Sequence, residues 1–347
     1  MKDLQHKIKE SIATNIPFVL YRKPNDKINH SVFQKGQEEY DVNDLQEKRF
    51  VFAPFDDKEK SLFIPFSKAE VTTFMIDEVV QGSDNKKINL NSFKEKEAHL
   101  NLIKKGIDFI KISESKKIVL SRKEVLKNTD FDCFEVYRKL LKSYPTAFVY
   151  CWFHPVSGLW MGATPERLLS VCNNEFSVMA LASTQEYKDS LEVSWGEKEL
   201  QEHQFVVDFI ASKFENQQID ISETYTVRAG NLLHLRADIF GKIPSSSSFD
   251  DMIKSLHPTP ATCGFPKEIA KEFILNNEHY NRQYYTGYLG EIEKESADLF
   301  VNLRCMKINT SKNEVSLFIG GGITKDSIPE NEWLETVAKS RVMKKVL

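Results

Sequence analysis

The chain has no CxxC pair, and its five cysteines (Cys133, Cys151, Cys172, Cys263 and Cys305) are scattered and odd in number. That excludes a cysteine-based zinc site and a disulfide framework, and suits reduced, mostly buried thiols in the cytoplasm. No apolar run approaches the ~20 residues needed to span a bilayer, so no membrane partner is expected. The opening MKDLQHKIKESIATNIPFVLYRK lacks the uninterrupted apolar core of a secretory signal. Neither sign of charge dominates. The 47 Lys and Arg against 50 Asp and Glu leave a net charge of −3, with the basic residues dispersed. A nucleic-acid partner is therefore not expected. No segment repeats at a solenoid period.

What is present is a chain of 347 residues, 41% of them hydrophobic, enough for one large core or two small ones. Residues 1–81 alternate short apolar strands (Phe18–Tyr21, Phe50–Ala53, Leu62–Pro65) with polar turns. The run GSDNKKINLNSFKEKE, Gly82–Glu97, is polar enough to be a linker. An amphipathic helix is expected over Ala98–Ser115, then a strand over Lys117–Arg122, a helix over Cys133–Ser143, a strand over Ala147–His154 and hairpin strands from Leu159 to Ala182. Further on come a long helix over Gly196–Phe214, strands Tyr225–Arg228 and Leu232–Phe240, the serine loop Ser245–Ser248, and helices Phe249–Leu256 and Lys267–Asn276. Strands Gly287–Glu293, Ala297–Ile308 and Glu314–Ile319 precede the last helix. Hairpin-length turns with helices inserted in blocks predict an α+β chain with large antiparallel sheets. Residues 1–95 form a weakly distinctive N-terminal part and residues 96–347 carry every motif, within one integrated domain.

The segment IGGGITKDSIPENEWLETVAKSRVM, Ile319–Met343, is the most informative. A strand ends in Gly320, Gly321 and Gly322, and a helix opens at Pro329. On that helix Glu332, Glu335 and Lys339 fall at i, i+3 and i+7, on one face. Two acids and a base beside glycine amides suit a metal and an anion. A solvated face with an internal ion pair is the alternative.

Five further segments accompany it: KIVLSR (Lys117–Arg122), GATPERLL (Gly162–Leu169), KELQEHQFVV (Lys198–Val207), HPTPATCGFP (His257–Pro266), and RQYYTGYLGE (Arg282–Glu291) followed by LFVNLRCMKI with Arg304 inside a strand. In this order and spacing, over about residues 100–345, the chain resembles the chorismate-utilising enzymes. These include isochorismate synthases, salicylate synthases and the large subunits of anthranilate and aminodeoxychorismate synthases. The isochorismate synthases are the best fit.

The resemblance implies packed antiparallel sheets with helices outside, and a Mg²⁺ held by two helix glutamates, here Glu202 and Glu335, that fastens the ring carboxylate of chorismate. It places Gly320, Gly321, Gly322, Tyr285 and Arg304 on substrate carboxylates. Lys339 and Glu332 would anchor substrate and metal waters, and Thr184 and His257 would add substrate contacts. For Arg304, a buried structural ion pair is the alternative to bidentate carboxylate binding. The resemblance makes Lys117 the base that activates water at C2 and Glu166 the acid that expels the C4 hydroxyl. Lys117 would have to be neutral and Glu166 protonated part of the time, which burial could bring about.

The stretch ALAST, Ala180–Thr184, has Ala182 where aminodeoxychorismate synthases carry a nucleophilic lysine, and Ser183 where the family has glycine. The expected activity is isochorismate synthase, serving menaquinone or siderophore synthesis. Salicylate synthase, anthranilate synthase and an inert chorismate-binding protein follow as alternatives. A cytoplasmic monomer without a glutaminase subunit is expected.

Overall fold

The structure, a computed structural model, describes residues 1–40, 47–76, 93–127, 131–215, 217–230, 232–243 and 249–347. Most of the expected linker and the loop Ser245–Ser248 lie outside the described residues. The last residues of that linker are helical, since the helix runs Phe93–Ile112 rather than from Ala98.

Two antiparallel sheets lie face to face. The first runs in the order Gly264–Phe265, Lys117–Lys127, Glu314–Ile323, Cys305–Asn309, Gly158–Thr164, Phe148–His154, Phe18–Arg22, Asn29–Gln34, Ala69–Phe74. The second runs Ile219–Ile221, Leu232–Lys242, Glu175–Glu186, Arg167–Cys172, Ser296–Val301, Tyr288–Glu293, Arg49–Ala53, Leu62–Pro65, with Tyr225–Ala229 also paired to Leu232–Lys242. The first 74 residues thus supply strands to both sheets. No helix among the described residues is long and apolar enough to cross a membrane.

Side-chain alternation explains the layering. On strand Phe148–His154, Phe148, Tyr150 and Trp152 point between the sheets, where they meet Phe50, Phe52, Leu289 and Phe300. Val149, Cys151 and Phe153 point the other way, under helices Lys2–Ala13, Cys133–Ser143 and Pro329–Lys344. Both faces are buried, which is why this strand reads as one apolar run. Helices Glu197–Ser212 and Phe249–Leu256 cover the outer face of the second sheet. Helices Phe93–Ile112 and Lys267–Asn277 close over Ile118, Leu120 and Ile323. Each aromatic ring buried between the sheets contributes roughly 1.5–3 kcal/mol, so the sandwich is a stiff platform.

Two expectations need correction, and both bear on the site. The stretch Ala297–Ile308 is not one strand: Ser296–Val301 belongs to the second sheet and Cys305–Asn309 to the first. Arg304 therefore stands in a crossover between sheets, with φ of 47°, and not in a strand. LFVNLRCMKI carries no Gly or Pro to mark the break. What holds it is tertiary: Tyr150 Oη donates to Asn302 Oδ1 at 2.7 Å, and Asn302 Nδ2 donates to the Tyr284 carbonyl at 2.8 Å. Also, the strand from Glu314 does not end at Ile319 but continues to Ile323, so Gly320, Gly321 and Gly322 pair with Ser121, Leu120 and Val119.

Candidate active site

Where the glycine strand passes beneath helices Glu197–Ser212 and Pro329–Lys344, a cleft holds about 630 Å³ of space, part of it open to solvent. Ten of the residues expected from sequence line it: Glu166, Thr184, Glu202, Tyr285, Arg304, Gly320, Gly321, Gly322, Glu335 and Lys339. They come from strands, helices, a turn and the sheet crossover. Lys117, His257 and Glu332 do not line it.

Lys117 opens its strand and is fully buried, immediately behind the cleft wall. Its Nζ lies 2.8 Å from Glu202 Oε1, an ion pair without hydrogen-bond alignment. Glu202 is carried to this point by the helix that His203 pins, through a 3.3 Å bond from its Nε2 to the Ala180 carbonyl. Burial alone would raise the Glu202 carboxyl, but Lys117, with Lys339 and Lys198, outweighs it and holds Glu202 below the usual carboxylate range. The amine therefore faces a carboxylate, and Glu202 stands between it and the open cleft.

Glu166 follows Pro165 at the turn after strand Gly158–Thr164 and is almost wholly buried. Burial pushes its carboxyl up to about 8, against the pull of Lys117 and Arg304. A carboxylic acid that keeps its proton near neutrality is what a general acid needs.

Arg304 projects into the cleft and makes no ion pair among the described residues. Burial presses its guanidinium below the usual range, against the pull of Tyr285, Glu335 and Glu166. The structural ion pair left open by the sequence is thus not found among the described residues. A half-buried, unpaired guanidinium calls for an anion, and its planar fork matches a carboxylate. Tyr285, stacked on Phe318 with ring centroids 5.5 Å apart, lines the same wall.

The glycines make room. A Cβ on Gly322 would come within 2.5 Å of Glu202 Oε1 and 3.0 Å of Lys117 Cε, and one on Gly320 within 2.8 Å of Tyr285 Oη. Gly321 is different, since the nearest atom to its Cβ would be Glu335 Oε1 at 3.7 Å. Lys339 Nζ bonds both Glu335 Oε1, at 2.5 Å, and the Gly320 carbonyl, at 3.0 Å.

Glu202 and Glu335 are hard-oxygen donors with side chains 14% and 29% exposed, on one cleft beneath facing helices. That fits Mg²⁺, which takes one or two protein carboxylates and completes its shell with waters and substrate oxygens. Glu332 is not a third member. It sits in the first turn of its helix, where Lys198 Nζ donates to its Oε1 at 2.6 Å, and burial raises its carboxyl. No cluster of three or more His, Cys, Asp or Glu converges among the described residues.

His257 also needs correction. Its imidazole lines a separate cleft with Arg49, Lys254 and Lys271, and its Nε2 donates to the Thr286 carbonyl at 3.0 Å. Thr286, by contrast, lines the site, so His257 supports the wall from behind.

Sequence reading missed His234, which ends in the cleft. Its Nδ1 donates to the Ser183 carbonyl at 2.7 Å, and burial lowers the imidazole to about 3, so the ring is neutral and Nε2 carries a lone pair. That Nε2 is buried and without a hydrogen-bond partner among the described residues. An isolated His in LLHLRADIF offered no signal. Ser183 lines the cleft with φ of 61°, in the glycine-favouring region, and its Oγ donates to the Glu199 carbonyl at 2.6 Å. Arg282 was also missed. It is buried against Glu278 at 2.6 Å and donates to the carbonyls of Val119 and Thr262, fixing two wall segments.

Residues 57–347 match the family described as chorismate binding enzyme. The chain is 28% identical over 240 residues to isochorismate synthase EntC of Escherichia coli K12, covering 65% of this chain and 61% of that protein. It is 31% identical over 200 residues to isochorismate synthase MenF of the same strain, covering 54% of this chain and 45% of that one. It is 27% identical over 282 residues to anthranilate synthase component 1 of Lactococcus lactis, covering 75% and 59%. The chain thus spans less than two thirds of the length of these relatives. Among solved structures, an isochorismate synthase, DhbC, from Bacillus anthracis superposes with a TM-score of 0.80 at 24% identity, over 99% of both chains. MenF from Escherichia coli gives 0.79 at 20% identity, over 95% of this chain and 88% of that one. These likenesses agree with the two-sheet sandwich, and with the family match over 57–347 they place this chain in the chorismate binding enzyme family.

Proposed function

We propose that this chain is a Mg²⁺-dependent isochorismate synthase that interconverts chorismate and isochorismate. The observation that carries the reading is one cleft in which Glu166, held protonated near neutrality, shares a wall with Glu202 and the unpaired Arg304, with Lys117 directly behind Glu202.

Arg304 and Tyr285 receive one substrate carboxylate. Glu202 and Glu335 would hold the metal, whose divalent charge, when bound, fastens the ring carboxylate. Turning of the Glu202 carboxylate out of its pair with Lys117 uncovers the side chain to the cleft and lets its ammonium pass a proton to solvent, leaving the neutral amine. Lys117 then takes a proton from water as the oxygen adds at C2, and Glu166 gives its proton to the C4 hydroxyl, which leaves as water. The two groups end with exchanged protonation and reset through solvent or the reverse reaction. Ala182, on the cleft wall, offers no amine, which weighs against a lysine adduct. With water as nucleophile no glutaminase subunit is needed. Menaquinone and siderophore supply are both compatible uses: one solved neighbour is a menaquinone-specific isochorismate synthase and another is described as 2,3-dihydroxybenzoate-specific.

The test is product analysis. The chain is incubated with chorismate and Mg²⁺, with and without ammonium, and the ring product is identified by chromatography. Isochorismate supports the proposal. Salicylate with pyruvate, anthranilate, or unchanged chorismate each overturns it.

A further inference from the structure

Cys133 and Cys151 sit against each other on the outer face of the first sheet, within the core cluster that the Cys133–Ser143 helix covers. Cys133 is the first residue of that helix and partly exposed, while Cys151 lies mid-strand and fully buried. Their Sγ atoms are 3.2 Å apart. A disulfide bond is ~2.05 Å long, so roughly 1 Å of approach separates this pair from a bond. We propose that Cys133 and Cys151 are an oxidative modification site, at which a small peroxide joins the helix to the strand through an intramolecular disulfide.

The approach is held by its surroundings. The Asp132 carboxylate caps the helix, accepting from the Phe134 and Glu135 amides at 2.9 and 3.1 Å, and itself takes a bond from Gln5 Nε2 at 3.0 Å. Cys151 is fixed between its strand neighbours, paired with Leu20 on one side and Met161 on the other. Access is one-sided. Cys133 lines a cleft with Gln5, Lys9 and Asp132, whereas Cys151 has no exposed surface and burial pushes its thiol up. The attacking sulfur is therefore that of Cys133.

The chemistry closes with hydrogen peroxide as the oxidant. The Cys133 thiolate attacks one peroxide oxygen and the O–O bond breaks. Sulfenic acid forms, and hydroxide leaves and is protonated to water. The Cys151 sulfur then attacks the sulfenic sulfur, the S–OH bond breaks, and its thiol proton leaves with the hydroxyl as a second water. Two thiols are oxidised by two electrons and one peroxide is reduced to two waters.

The exposed Cys172 is removed first, by Cys172→Ser, so that it cannot react with other molecules. The folded variant is treated with hydrogen peroxide, alkylated and mapped by mass spectrometry. The expected result is loss of two thiols and two hydrogens, a cross-linked peptide pair carrying Cys133 and Cys151, and reversal by dithiothreitol. The thermal midpoint should rise on the order of 2–5 °C. Adding Cys133→Ser, at the partly exposed position, should abolish the link, so the test does not depend on Cys151→Ser folding. Thiols that survive peroxide while a free cysteine peptide is oxidised, Cys133 overoxidised without a link, or a link formed only after denaturation would each overturn the proposal.

Discussion

Glu202 stands between Lys117 and the cleft, its Oε1 2.8 Å from the lysine Nζ, so the expected base and the expected metal ligand are partners. Replacing Lys117 by Gln keeps a polar group of similar reach and removes the amine. Turnover with water should fall about 10²–10⁴-fold while chorismate affinity stays within a few-fold. Calorimetry and initial rates on both proteins check this, and an unchanged rate removes Lys117 from the reaction.

Glu166 sets the alkaline side of the pH profile. Its carboxyl is raised to about 8, so the acid form is present below that pH, and activity should fall as pH rises through it. The linkage sign follows: the folded chain binds this proton more tightly than the unfolded one. The stabilisation is therefore complete below the ordinary glutamate range and is lost as pH rises to about 8. Glu166→Gln, which mimics the neutral form, should lose activity about 10²–10⁴-fold and be more stable than the parent above pH 8. Thermal melts across pH report the second effect without any substrate.

The two acids of the last helix should separate cleanly. Glu335→Gln should raise the Mg²⁺ needed for half-activity roughly tenfold or more. Glu332→Gln should leave the Mg²⁺ titration unchanged and change stability by no more than about 0.5 kcal/mol, because burial already raises this carboxyl and its partner Lys198 is 36% exposed. Mg²⁺ titration calorimetry and thermal melts on both variants distinguish them.

Arg304 has no ion-pair partner to strand among the described residues, so Arg304→Met should cost little stability. It should weaken chorismate binding by roughly 10–100-fold, the range of a charged hydrogen-bonded pair. Lys in its place should not restore affinity, since an ammonium cannot present a planar fork. A full rescue by Lys would count against bidentate binding.

Among the glycines, Gly322→Ala should impair Mg²⁺ binding and turnover, because the new Cβ displaces the flexible end of Glu202, 2.5 Å away. Gly321→Ala meets only ordinary contact at 3.7 Å, and its stability should stay within about 0.5 kcal/mol of the parent. Equal effects at both positions would show that the space argument is wrong.

Much of this was legible in the chain itself. Periodicity located helices Cys133–Ser143 and Phe249–Leu256 at their observed ends and most strands within a residue or two. It failed at Ala297–Ile308, where no Gly or Pro marks the change of sheet that the Asn302 hydrogen bonds help to enforce. It also placed Glu332 with Glu335, because i, i+3 spacing shows which side of a helix a residue shares and not what stands opposite. Lys198, on another helix, takes Glu332 away from the cleft. His234 and Arg282 gave no local sign, since their roles depend on carbonyls of Ser183, Val119 and Thr262 distant in the chain.

Local pattern therefore determined the elements, the α+β class and the set of chemical groups this protein can bring to a site, because those depend on neighbouring residues and side-chain type. Only the tertiary structure decided that Glu166 would keep a proton, that Arg304 would lack a counter-ion among the described residues, and that Lys117 would be screened by Glu202. Those properties arise from burial and from charges contributed by remote segments, which a linear spacing does not contain.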